Sequence, residues 1–202
     1  MSVADKYTTL TSEKIPSVHD AGKQAQHTWF WDQFQDFGNR DHYFYAFSYY
    51  NFDDTTYDPQ HTIKTGTTNT GGQNLFYSSY GITDTKVDII FEKTANGAFN
   101  NARKMKTIRK MIVNENVTFA NTFTNAEALE TISFEGTIGQ NISFADSDKL
   151  NDLSIDNIVE HLKDLTGATS KSLTVHATVY DKMVADGKDA LVTAKNWALV
   201  KA

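Results

Sequence analysis

Six histidines, His19, His27, His42, His61, His161 and His176, are the side chains best suited to bind a metal or pass a proton near neutral pH. Their spacing works against both. None stands in a His-x-x-x-His or His-Glu-x-x-His pattern, which would set two ligands on one helix face. His161 follows Glu160, and neighbouring helix positions point in different directions, so each histidine reads as a surface or locally bonded residue. Asp53, Asp54 and Asp58 gather around a turn where, with backbone carbonyls, they could hold calcium. They lack the glycine and terminal glutamate of a calcium loop and read as a solvated turn. Glycoside cleavage needs two carboxylates at a set separation, but the 25 acids make such pairs inevitable, so their presence decides nothing. Gly71-Gly72 precedes no Lys-Ser/Thr, Gly97 is isolated, and no G-x-S-x-G occurs. With no cysteine, disulfides, thiolate metal sites and cysteine nucleophiles are excluded. The expectation is a chain that is not an enzyme, with no catalytic residue, no cofactor and no metal.

Charge narrows the partners. The 202 residues carry a net charge of -6 and a pI near 5.4, whereas a nucleic-acid binder needs a basic face to displace counterions. The one basic cluster, RKMKTIRK from Arg103 to Lys110, reads as a solvated face on the outside of a turn. No apolar run reaches the roughly 18 residues of a membrane span. MSVADKYTTLTSEK lacks the basic-then-apolar layout of a secretory signal, so no export by that route is expected.

Three zones must position whatever the surface presents. In the first, Pro16 suits a helix start. From there SVHDAGKQAQHTWFWDQFQDFGNR places apolar residues at helical spacing up to Gly38-Asn39. The far end of this predicted helix is crowded with Trp29, Phe30, Trp31, Phe34 and Phe37. Either one face packs on the following strands and nothing more, or the remainder meets a partner chain, which makes these five the candidate docking or oligomerisation residues. The second zone opens with HYFYAFSYYNF, an aromatic run suited to a doubly buried strand, although aromatic concentrations also occur on carbohydrate-binding surfaces. NFDDTTYDPQHTIKTGTTNTGG then reads as loop, a short extended piece near His61 to Lys64, and a Gly/Thr/Asn link.

The third zone repeats. FTNAEALETISFEG sets Phe123, Ala126, Leu129 and Ile132 in strict steps of three, which neither an amphipathic helix nor an exposed strand explains. The same frame carries Phe99, Ala102, Met105 and Ile108 upstream, and Phe144, Ser147, Leu150 and Leu153 downstream. A weaker copy starts at Phe76, so the Phe positions lie 23, 24 and 21 residues apart. That interval is in the range of leucine-rich repeats, in which one turn cannot bury its own apolar face and stacks on the next. The expected repeat core is Phe76, Phe99, Met105, Ile108, Phe123, Leu129, Ile132, Phe144, Leu150 and Leu153. Beyond it, Ser154 is placed to cap a helix through SIDNIVEHLKDLTG that stops near Gly167, SLTVHATV alternates as a strand, Tyr180 to Ala194 is partly helical, and NWALVKA closes as a strand.

The fold class expected is α+β: an N-terminal aromatic helix and strand unit, then a short, irregular leucine-rich-repeat-like solenoid with an α/β C-terminal cap. The boundaries fall at 1 to 72 for the docking region and 73 to 202 for the repeat domain, with its cap from about 154.

Three passages carry a resemblance: EKIPSVHDAGKQAQHTWFWDQFQDFGNRDHYFYAF, FTNAEALETISFEGTIGQN, and the stretch from LSIDNIVEHLKDLTGATSKSLTV to AKNWALV. In order, they resemble phage and prophage tail-module proteins of Gram-positive bacteria with BspA-like leucine-rich repeats. The likeness runs from about residue 13 onward and departs at the Thr/Gly-rich link, where such proteins continue the repeat. It implies a non-enzymatic virion structural protein at the tail or baseplate, assembled in the host cytoplasm. Docking would use the N-terminal region, and a repeat surface would serve host recognition or subunit contacts. The partners implied are other virion proteins or copies of itself in a homo-oligomer, and a host surface protein or glycan, with no nucleic acid and no membrane insertion. The competing readings are a bacterial surface adhesin or glycan-binding module, and a phage head-decoration or fibre protein.

Overall fold

The structure is a computed structural model that describes residues 62–65, 67, 69, 71–80 and 82–202. Among the described residues it is a mixed α/β arrangement of two wholly parallel sheets and three helices. The first sheet runs β1 (Thr62–Lys64), β2 (Asp84–Phe91), β3 (Thr107–Val113) and β4 (Thr131–Gly136), each hydrogen bonded to the next in sequence order. The second holds β5 (Ile142–Phe144), β6 (Lys171–Val175) and β7 (Trp197–Lys201). Between them come α1 (Asp152–His161), α2 (Ala177–Ala185) and α3 (Lys188–Ala194).

Parallel neighbours require a long return, and here most returns are chains of tight turns rather than helices. These turns account for the steps of three. Phe99 O accepts from Ala102 N and Ala102 O from Met105 N, while Phe123 O accepts from Ala126 N and Ala126 O from Leu129 N. Each bond closes an i to i+3 turn, and in such a path every third side chain returns to the same side. That side is the interior: Phe99, Ala102, Met105, Phe123, Ala126 and Leu129 are all buried.

The returns also stack on one another. Gly97, Phe99 and Asn101 donate their N–H groups to the carbonyls of Ala120, Thr122 and Thr124, and Phe76 N bonds to Ala98 O. The rings follow, with centroids 5.2 Å apart from Phe76 to Phe99, 5.8 Å from Phe99 to Phe123 and 4.5 Å from Phe123 to Phe144. In the sheet opposite, Ile89, Met111 and Phe134 pair across β2, β3 and β4. One core joins both layers from Ile63 to Trp197, and most of the expected docking region 1 to 72 lies outside the described residues.

Backbone conformation punctuates each return. Asn74, Gly97 and Asn121 have φ of 55°, 63° and 55°, two residues before each Phe, and Ser78, Asn101 and Asn125 have 53°, 62° and 56°, two residues after. The left-handed region costs an ordinary side chain, and Gly and Asn are the residues that enter it most readily.

Helix α1 takes the place where a fifth strand would lie against β4. Ser154 Oγ accepts from Ile132 N at 2.9 Å, and the Asn157 amide accepts from Phe134 N at 2.6 Å while donating to Phe134 O at 3.4 Å. Side chains thus satisfy an edge that a strand would otherwise satisfy. This changes three expectations. Ser154 is not the cap: Asn151 is, its Oδ1 accepting from Ser154 N at 2.9 Å. Leu153 is not core: it is 80% exposed, because the helix turns Ser154, Ile155, Ile158 and Val159 inward instead. The helix ends at His161 rather than near Gly167, because Leu162 leaves it to bridge with Ile138. The strand after it is shorter than SLTVHATV, since His176 caps α2, its Nδ1 accepting from Thr178 N at 3.2 Å.

Candidate functional site

The outer face of the first sheet carries a set of charged side chains positioned by its strands. Strand alternation turns Ile89, Met111 and Phe134 inward, while a register shift in β3 places Arg109 and Lys110 consecutively outside. Both cations meet Asp88: Arg109 Nε lies 3.2 Å from Asp88 Oδ1 and Lys110 Nζ lies 3.8 Å from Oδ2. The Arg109 approach is an ion pair without aligned hydrogen-bond geometry. Lys110 also bonds to Glu135 at 3.0 Å, and Lys64 meets Glu92 at 2.8 Å. The Glu135 hydrogen bond, then the charge of Asp88, holds the Lys110 ammonium above its ordinary pKa. The charges form two groups, the Lys64–Glu92 pair and the cluster of Asp88, Arg109, Lys110 and Glu135, and the half-buried Ile90 and Ile112 pair with each other on the same two central strands. Such a face can hydrogen bond and pack, and it offers no nucleophile beside a base.

Elsewhere the cluster RKMKTIRK divides. Arg109 and Lys110 are tied to the sheet, whereas Arg103, Lys104 and Lys106 are exposed on the return turn around buried Met105. The histidines of the described residues serve local structure: His161 Nδ1 lies 2.8 Å from Asn157 O, and His176 caps α2. No group of three or more His, Asp or Glu side chains that could hold a metal occurs among the described residues, and no helix there is long and apolar enough to cross a membrane. A small crevice between α1, β6 and α2 is walled by Leu150, Ile155, Ile158, Leu173, Val175, Val179 and Met183, which supply no polar anchor.

Of the expected repeat core, Phe76, Phe99, Met105, Ile108, Phe123, Leu129, Ile132, Phe144 and Leu150 are buried, and Leu153 alone is on the surface. The candidate docking residues Trp29, Phe30, Trp31, Phe34 and Phe37, and the acids Asp53, Asp54 and Asp58, lie outside the described residues. So does the aromatic run from Tyr43 to Phe52.

Two of the motifs behind the resemblance are now explained by packing. In EGTIGQ, a Cβ at Gly136 would overlap the Val113 carbonyl and one at Gly139 the Glu115 carbonyl, so both positions admit close stacking on the turn before. In AKNW, three successive side chains clamp the stretch after α1. Lys195 Nζ donates to the carbonyls of Val159, Glu160 and Leu162 at 2.9, 2.7 and 3.0 Å. Asn196 donates to Leu165 and Ala168, and Trp197 Nε1 to Lys163 O at 2.8 Å. These motifs therefore mark a fold more than a chemistry.

No family model, curated protein or solved structure matches this chain.

Proposed function

We propose that the chain is a non-enzymatic structural and recognition protein, built as a short, irregular leucine-rich-repeat-like solenoid with an α/β cap, that serves as a phage virion component at the tail or baseplate. Its N-terminal region docks it to other virion proteins or to copies of itself, and the stacked turns present a surface for host recognition or subunit contacts. The observation that carries the scaffold half is the closed β4 edge. A parallel sheet whose edge is satisfied by Ser154 and Asn157 ends without inviting another strand, so its outer face can be offered to a partner by side chains alone. The Lys64–Glu92 pair and the Asp88, Arg109, Lys110 and Glu135 cluster suit that task, because a paired, ordered polar face recognises by pattern rather than by bulk attraction. The virion half rests on the motif order along the chain.

The mass of the full chain in solution, measured by light scattering, tests the assembly claim. A defined oligomer that becomes monomeric in Trp29→Ser/Phe34→Ser, with an unchanged melting midpoint, is the expected result. A wild-type monomer that also fails to enter particles made from the neighbouring virion proteins would overturn it.

A further inference from the structure

A second polar cluster lies on the ridge where the return turns lead back to the sheet. Asn101, held at φ 62°, uses its whole amide there. Its Nδ2 donates to Ser78 Oγ at 3.0 Å and to Tyr80 Oη at 3.1 Å, and its Oδ1 accepts from Arg103 Nε at 2.8 Å. Tyr80 is 41% exposed, and Arg103 is exposed as well.

Exposed hydrogen bonds of this kind add little stability, because water competes for each partner. Ordering an arginine also costs rotamer entropy. What the network does is fix a phenol and a guanidinium on either side of one amide, so that both are oriented before any ligand arrives. Preorganisation of that kind lowers the entropic cost of binding. One of the five guanidinium N–H donors is used by Asn101, and Arg103 forms no ion pair among the described residues, which leaves a planar fork matched to a carboxylate.

We propose that Tyr80, Asn101 and Arg103 form a binding site for a carboxylated saccharide, with the sugar ring against Tyr80 and its carboxylate on the Arg103 fork. The surroundings favour one carboxylate over a denser anion. Lys104 and Lys106 are exposed beside Arg103, but the next turn places Glu127 and Glu130 below them, and Glu130 N is bonded to Lys106 O. A polyphosphate or nucleic acid would meet those acids, as it would the overall charge of -6. Asn101 acts through the other two as a positioning residue.

This deepens the recognition half of the function proposed above, and saccharide binding can fail while oligomer assembly holds, or the reverse. The test is calorimetric titration of the full chain with oligogalacturonate, and with its methyl ester as the uncharged control. The expected result is binding of the acid form and at least about tenfold weaker binding of the ester and of Arg103→Ala. Asn101→Gly keeps the left-handed backbone and releases the orientation, so it should weaken binding while the melting midpoint stays within a degree or so. Recovery of only part of the affinity by Arg103→Lys would agree with a fork rather than a point charge. No binding by the wild type, equal binding of acid and ester, or equal binding by Arg103→Ala would each overturn the proposal.

Discussion

Leu129 and Asn121 show how differently two residues of one turn contribute. Leu129 is fully buried at the end of a chain of tight turns, so Leu129→Asp places an unpaired charge in the core and should cost several kcal/mol, on the order of 3–5. Urea unfolding would show it, and an unchanged midpoint would count against the stacked interior. Asn121 is exposed at φ 55°, so its contribution is conformational. Asn121→Ala should lose about 1–2 kcal/mol, whereas Asn121→Gly should be close to neutral. If both behave alike in the same unfolding experiment, the left-handed turn is not what asparagine supplies there. The pattern was open to a reader of the sequence. NLFYS, GAFNN and NTFTN share a Gly or Asn two before the Phe and an Asn or Ser two after it, a regularity as strict as the steps of three.

At the scale of the element, α1 stands in for a strand, and the test is whether two side chains are enough. Ser154→Ala leaves Ile132 N–H buried without a partner and should cost about 1–3 kcal/mol. Asn157→Leu should do the same for Phe134 and also speed amide exchange at both positions, leaving β2 protected. Unaltered exchange at Ile132 and Phe134 would show that α1 does not seal the edge. The ion pair between α1 and α2 gives a pH dependence. Lys182 Nζ lies 2.6 Å from Asp152 Oδ1, and that hydrogen bond is the main reason Asp152 titrates below its ordinary 3.8 and Lys182 above its ordinary 10.5. A lowered acid stabilises the fold above 3.8 and loses that contribution as pH falls through its folded value. A raised base stabilises it below 10.5 and loses the contribution as pH climbs past its folded value. Asp152→Asn should therefore lower the melting midpoint slightly across neutral pH and flatten both limbs, the effect being small because the pair is exposed. Identical pH profiles for mutant and wild type would remove the pair from the account.

Across the described residues of the whole molecule, each strand pairs only with its neighbours in sequence order, so damage should stay local. Lys195→Met frees three carbonyls at the end of α1 and should raise hydrogen exchange over 159–168 and in β7, while Ile89 and Met111 in the first sheet keep their protection. A uniform rise throughout would mean that the chain opens as one unit.

The inward set was legible in the order of the residues. A side chain that recurs every third residue, and again about 23 residues later, can find shelter only in a path that turns and stacks, and Phe76, Phe99, Phe123 and Phe144 do so. The closing helices and strand were legible too, because their periodicities are local. What that order left open were the ends of elements and the fate of Leu153 and Ser154, since a helix beginning one or two residues earlier rotates every later side chain by about 100° per residue. It took the packed fold to show that β4 is closed by a serine and an asparagine, that Lys195, Asn196 and Trp197 clamp carbonyls some 30 residues before them, and that Asn101 holds Tyr80 and Arg103 together. All of those contacts except the one from Arg103 to Asn101 join residues far apart in sequence, and how such segments sit against each other depends on packing that no single segment contains.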